Sequence, residues 1–273
     1  QDLSDFCAPA KQHDGRISAS ENKGEITGSA NLGGIVGSVG IEIDFDPDGD
    51  VTKVGDYSLN FHYQARALLT GCTNSGAVTG RNDYAGGIVG QAYIGQITGC
   101  QSYGAVSTDG SYVGGIAGRV IGQDDKGSAT ISNCEVGAAA IKGTGCTTNP
   151  ANGGGVGGMG GILGYGAGNI SDCMSDALIE ASKDGAYGIG GIVGVKGTTQ
   201  GKLRVDRCGF TGTIKAENAD SVGGILGSNQ DAQPNGAVLK DVYADGTLDL
   251  GANSGDGVGG IMGSTPFNFA GGK

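Results

Sequence analysis

Four aspartates on alternate positions, Asp44, Asp46, Asp48 and Asp50, form the densest acidic cluster in the chain, with Gly49 at the sixth place of a D-x-D-x-D-G run. Alternate residues of a tight turn aim their carboxylates at one point, and calcium takes six to eight hard oxygens. The acid that would close such a loop belongs at the twelfth place, where Gly55 stands; Asp56 is one residue late, and Pro47 interrupts the loop. Asp-Gly is equally a hairpin turn signal, and the strand-like IEIDF and YSLNFHY flank it. A calcium-bound turn and a metal-free hairpin are both open readings of this segment; no other cofactor is expected.

Seven cysteines, at 7, 72, 100, 134, 146, 173 and 208, contain no CxxC pair, and the only histidines are His13 and His62. A zinc site is not expected from these pieces, and an odd count at long spacings fits a disulfide framework poorly. Five of the cysteines occupy one position of a repeat, where a small, soft, buried thiol packs well; Cys7 and Cys146 lie outside it. The loop 142–158, KGTGCTTNPANGGGVGG, is not followed by the lysine and helix start that a phosphate-binding loop demands, and reads as an excursion between repeats. Arg66, Arg81, Arg119, Arg204 and Arg207 share no evident column with acids, so no general acid–base pair is assigned. Thr70, Thr98 and Thr130 do not extend into the flat threonine array that ice binding needs. No catalytic residue is assigned.

What positions these residues is a repeat. The phrase GGIxG occurs seven times, with isoleucine always at its centre: Ile35, Ile88, Ile116, Ile162, Ile192, Ile225 and Ile261. Before it runs a second phrase with three columns. The first is Ile17, Leu69, Ile97, Ile131, Ile170, Val205 and Leu239. Three residues on comes Ser20, Cys72, Cys100, Cys134, Cys173, Cys208 and Val242. The third is Ile26, Val78, Val106, Ile141, Ile179, Ile214 and Leu248, with a one-residue insertion before Ile141. The stretches are too short for helices, and Gly, Asn, Asp and Ser separate them as turn formers. One unit cannot bury its few aliphatics, but units stacked at the ~4.8 Å strand spacing place like residue on like residue. The expected fold is an all-β parallel solenoid, right-handed by the usual crossover rule, with about seven coils of three short strands and an inserted hairpin. An antiparallel sandwich is the competing architecture. The expected organisation is an N-terminal cap or linker at 1–16, a solenoid at 17–263 with insertions 38–68 and 142–158, and a C-terminal cap or assembly tail at 264–273.

Composition agrees. Fifty-nine of the 273 residues are glycine, yet with only 5 prolines and no three-residue period the chain is not collagen. The net charge of −11 argues against nucleic acid, and no apolar run of about 18 residues suggests a membrane span. The chain opens on Gln1, so no targeting segment is legible and localisation rests on indirect signs.

Phrases such as GGIVGQAYIGQITGCQSYGAVST (86–108) resemble the GLUG motif, a glycine-rich repeat of bacterial surface proteins that include adhesins and some IgA-specific metallo-endopeptidases. The resemblance covers about residues 17–263. It implies an exported, non-catalytic segment at the bacterial cell surface; the HExxH of the peptidases' zinc domain is absent from this sequence. The function expected is therefore adhesion or structural scaffolding, with a host or matrix glycan or protein, or another copy through the solenoid ends, as partner. End-to-end filament assembly and a carbohydrate-active or glycan-binding β-helix are the alternatives. The hairpin at 38–68 is the expected contact site, because loops on rigid scaffolds carry function.

Overall fold

In a computed structural model, the chain is described over residues 15–39, 68–93, 95–121, 129–143, 157–181, 185–197, 201–231, 236–251 and 255–265. Every strand there pairs in parallel with its equivalent in the coils above and below, giving five seven-stranded sheets with the coils in sequence order. The competing antiparallel sandwich is thereby excluded. One coil shows the plan: Gln96–Thr98, Gln101–Ser102, Val106–Thr108, Val113–Gly114 and Ala117–Val120 contribute to the first through fifth sheets. Each coil thus carries five strands where the sequence suggested three. The second and fourth sheets are built mostly from two-residue strands such as Gln101–Ser102 and Val113–Gly114, too short to show an alternating pattern. The strands begin at Arg16 and end at Ser264. Lys142 and Gly143, read as loop, belong to the strand Ala140–Gly143 of the third sheet.

The isoleucine column stacks in register. From Ile35 to Ile225, each isoleucine N–H donates to the isoleucine carbonyl of the next coil at 2.9–3.1 Å, and each of those carbonyls also accepts the N–H of the residue after the donor. Ile88, Ile116, Ile162, Ile192 and Ile225 are wholly buried, each burial contributing roughly 1.5–3 kcal/mol. The first and third columns also hold: Ile97 pairs with Leu69 and Ile131, and Val106 pairs with Ile141 despite the insertion.

The three glycines of GGIxG do different steric work. In the fifth coil, a Cβ on Gly190 would strike the carbonyl oxygen of Val193 in the same turn at 1.9 Å. One on Gly191 would strike the carbonyl of Gly224 in the next coil at 2.2 Å and the Phe210 ring at 2.3 Å. One on Gly194 would reach the backbone of Met159 at 2.5 Å. The phrase therefore folds the fourth and fifth sheets backbone against backbone and lets the second sheet press its inward side chains, here Phe210, close to the turn.

The cysteine column lies inside. Cys72, Cys100, Cys134, Cys173 and Cys208 are buried and unbridged. Each thiol donates to the carbonyl two residues before it (3.1–3.6 Å) and to a first-column carbonyl of the preceding coil, from Ile17 O for Cys72 to Ile170 O for Cys208 (3.7–3.8 Å). The neighbouring Cys134 thiol, then burial, pushes Cys100 well above the ordinary thiol range; Cys134 and Cys208, then burial, do the same to Cys173. The column fills the core as small packing groups.

Candidate binding groove

The chain makes a sharp corner just before the cysteine column, which Val242 continues in the seventh coil, and the residue there takes a left-handed conformation. Gly71 and Gly99 occupy it in two coils, but Asn133, Asp172, Arg207 and Asp241 occupy it in the last four, with φ of 51–55°. Only glycine and, less readily, asparagine or aspartate adopt this region at low cost. The corner turns these side chains outward and lines up three outer columns on the second sheet. Asn133, Asp172, Arg207 and Asp241 form one. Gln101, Glu135, Met174, Gly209 and Tyr243 form the next. Tyr103, Gly137, Asp176, Thr211 and Asp245 follow, as their backbone bonds show.

A groove of about 520 Å³ opens on this face over the fourth to sixth coils, lined among others by Asn133, Glu135, Asp172, Met174, Asp176 and Thr211. Two exposed tyrosines bracket it. Tyr103 of the third coil lies over Gly137 of the fourth, where an added Cβ would stand 2.7 Å from the ring. Tyr243 of the seventh coil lies over Gly209 of the sixth, where a Cβ would stand 2.3 Å from the ring, and its hydroxyl donates to Met174 Sδ at 3.2 Å. The two rings stay 45% and 49% exposed, and their Cα atoms are four coil steps, about 19 Å, apart along the axis. Glycine at 137 and 209 is what lets each ring lie down toward the groove.

Between them the chemistry is anionic. Arg207 grips Asp172 of the preceding coil through two contacts, Nε to Oδ1 at 2.6 Å and Nη2 to Oδ2 at 2.8 Å, and also bonds Asp206. This guanidinium holds the Asp172 carboxyl below its usual range, and Asp172 raises Arg207 in turn. Gln101 Nε2 donates to Glu135 Oε2 at 3.3 Å, and Thr211 Oγ1 to Asp176 Oδ1 at 3.5 Å. The groove thus offers fixed carboxylate acceptors between two aromatic faces. A general acid requires a carboxyl raised toward neutrality; Asp172 moves the opposite way.

The expectation that Arg207 shares no column with acids is overturned, since Arg207 and Asp172 occupy one column on adjacent coils. The signal was legible in the residue immediately before each cysteine. Arg119 is also placed by the coil stack: its Nη1 donates to the Tyr84 hydroxyl at 2.9 Å, and its guanidinium lies 5.0 Å from the Tyr84 ring centre, with Tyr112 stacked on Tyr84 at 5.3 Å. Thr70 and Thr98 stack in the first sheet, but Ser132 continues their column and Thr130 belongs to another. Asp44, Asp46, Asp48 and Asp50, the hairpin around them, Cys7, Cys146 and loop residues 144–156 lie outside the described residues. Among the described residues no group of three or more His, Cys, Asp or Glu side chains could hold a metal ion, and no helix is long and apolar enough to cross a membrane. No family model, curated protein or solved structure matches the chain.

Proposed function

We propose that this chain is a non-catalytic, extracellular binding scaffold of the bacterial surface type, a member of the GLUG-repeat group, which presents the second-sheet groove to a glycan or protein of a host or matrix. The observation that carries this reading is the pair Tyr103 and Tyr243, each laid over a glycine of the adjoining coil with its ring exposed, on the same sheet face as the groove lined by Glu135, Asp172 and Asp176. Exposed aromatic faces supply contact area at low entropy cost, and carboxylates held by Arg207 and Gln101 supply fixed acceptors for hydroxyl or amide donors. The contact site proposed is thus a sheet face rather than the 38–68 hairpin. A purely structural role is the second reading, favoured by the continuous ladders that stiffen all five sheets.

The test is an array of glycans and matrix proteins probed with the intact chain and with Tyr103→Ala/Tyr243→Ala. Binding by the wild type that falls at least tenfold in the double variant supports the reading. Binding that survives the double variant moves the site elsewhere, and silence from both leaves the scaffold role in its place.

A further inference from the structure

Inside the solenoid the core columns are dry; at its two ends they are not. Leu69, Ile97, Ile131, Ile170 and Val205 are at most 2% exposed, but Ile17, which begins their column, is 36% exposed. Ile225 is wholly buried, but Ile261, the next in its column, is 40% exposed. Val222 is wholly buried, whereas Val258, its partner in the last coil, is 44% exposed. Both ends therefore present aliphatic side chains beside a row of strand edges, the arrangement that invites another strand layer.

We infer that the seventh coil of one copy docks on the first coil of another, continuing the five sheets head to tail. The two faces match column by column. Leu239 would meet Ile17, Leu248 would meet Ile26, Val258 would meet Leu32, and Ile261 would meet Ile35. The polar rim matches as well: Asp245 falls in register with Lys23, and the columns of the end coils bring no like charges together, since Glu21 meets Tyr243, Arg16 meets Val238 and Asp249 meets Thr27. The hydrogen-bond series also has its next members in place. Ile225 and Leu226 both donate to the Ile261 carbonyl, so the N–H groups of Ile261 and Met262 become donors to the Ile35 carbonyl of the next copy. A contact of this heterologous kind does not close on itself, so it lengthens with concentration.

The second glycine of the repeat supplies a test that spares the fold. At Gly34, Gly87, Gly115, Gly161, Gly191 and Gly224 an added Cβ would lie 2.0–2.3 Å from the carbonyl of the equivalent glycine one coil on; at Gly260 it would meet nothing within 4 Å. Gly260→Ala is thus harmless in the isolated chain, and only a docked copy, with the Gly34 carbonyl at that place, makes it clash. Sedimentation velocity over a hundredfold concentration range is the measurement. The wild type is expected to shift to longer species, and Gly260→Ala to remain a monomer with an unchanged melting temperature. Lys23→Asp is expected to weaken association and Lys23→Asp/Asp245→Lys to restore it. A wild type that stays monomeric throughout, or a Gly260→Ala chain that lengthens as the wild type does, overturns the inference. Because the groove lies on the side of the stack, glycan or protein binding succeeds or fails independently of this result.

Discussion

Gly191 packs on Gly224 so closely that a Cβ at 191 would sit 2.2 Å from the Gly224 carbonyl oxygen. The same approach recurs at each coil junction from Gly34 to Gly224, which is why two glycines in a row precede every central isoleucine. The obstacle is backbone, which cannot swing away as a flexible side chain can. Gly191→Ala is expected to destabilise the chain by about 3 kcal/mol, at the upper end for an overpacked core, whereas Gly260→Ala changes the urea midpoint negligibly. Equal midpoints for the two variants would show that the close approach is relaxed in solution.

Arg207 and Asp172 set a pH dependence whose sign is fixed. A carboxyl held below its unfolded value stabilises the fold at pH above the unfolded pKa, near 3.8, and that stabilisation is lost as pH falls through the folded value. The carboxyl carbon of Asp172, followed by NMR, is expected to titrate with a midpoint below 3.8, and in Arg207→Ala to move back up toward it. A midpoint unchanged by the substitution would mean that the two-contact grip does not persist in water, where exposed ion pairs are often weak.

The isoleucine, cysteine and third columns were legible because a stacked ladder demands like residues at each level, and seven levels repeat the signal. Even the shift at Ile141 was readable, since Gly137 marks the inserted residue. The two-residue strands were not legible: Gln101–Ser102 and Glu135–Val136 share no residue type, and their pairing is fixed by the neighbouring corners. The groove was hidden for a related reason. Tyr103 and Tyr243 each occur once, in different columns and coils, so no period announces them, and each lies over its neighbouring coil only because a glycine stands there, at 137 and at 209. Asp172 and Arg207 carried a faint signal in standing directly before their cysteines.

The stacked thiols are expected to be silent until the chain unfolds. In a Cys7→Ser/Cys146→Ser background, a thiol reagent such as Ellman's should label none of Cys72, Cys100, Cys134, Cys173 and Cys208 in the native state within minutes, and all five in denaturant. All five are at most 2% exposed, so the reagent has no path to the sulfur until the coils open. Fast labelling of one native thiol would reveal local opening at that coil.

Lys196 ends a strand of the fifth sheet wholly buried, with its ammonium 3.2 Å from Asp231, whose side chain is 12% exposed, and bonded also to the Gly197 carbonyl. The two members of this pair differ in how far water can replace the other. Asp231→Asn takes the carboxylate from an ammonium that solvent does not reach, and removing one partner of a buried pair typically costs about 3–5 kcal/mol. Lys196→Met keeps the aliphatic stem's volume and leaves a carboxylate that touches solvent, so its cost should be less than half as large. Urea denaturation of the two variants checks the order: Asp231→Asn must have the lower midpoint. The reverse order would mean that the lysine stem's packing, rather than its charge, holds this corner of the fifth sheet together.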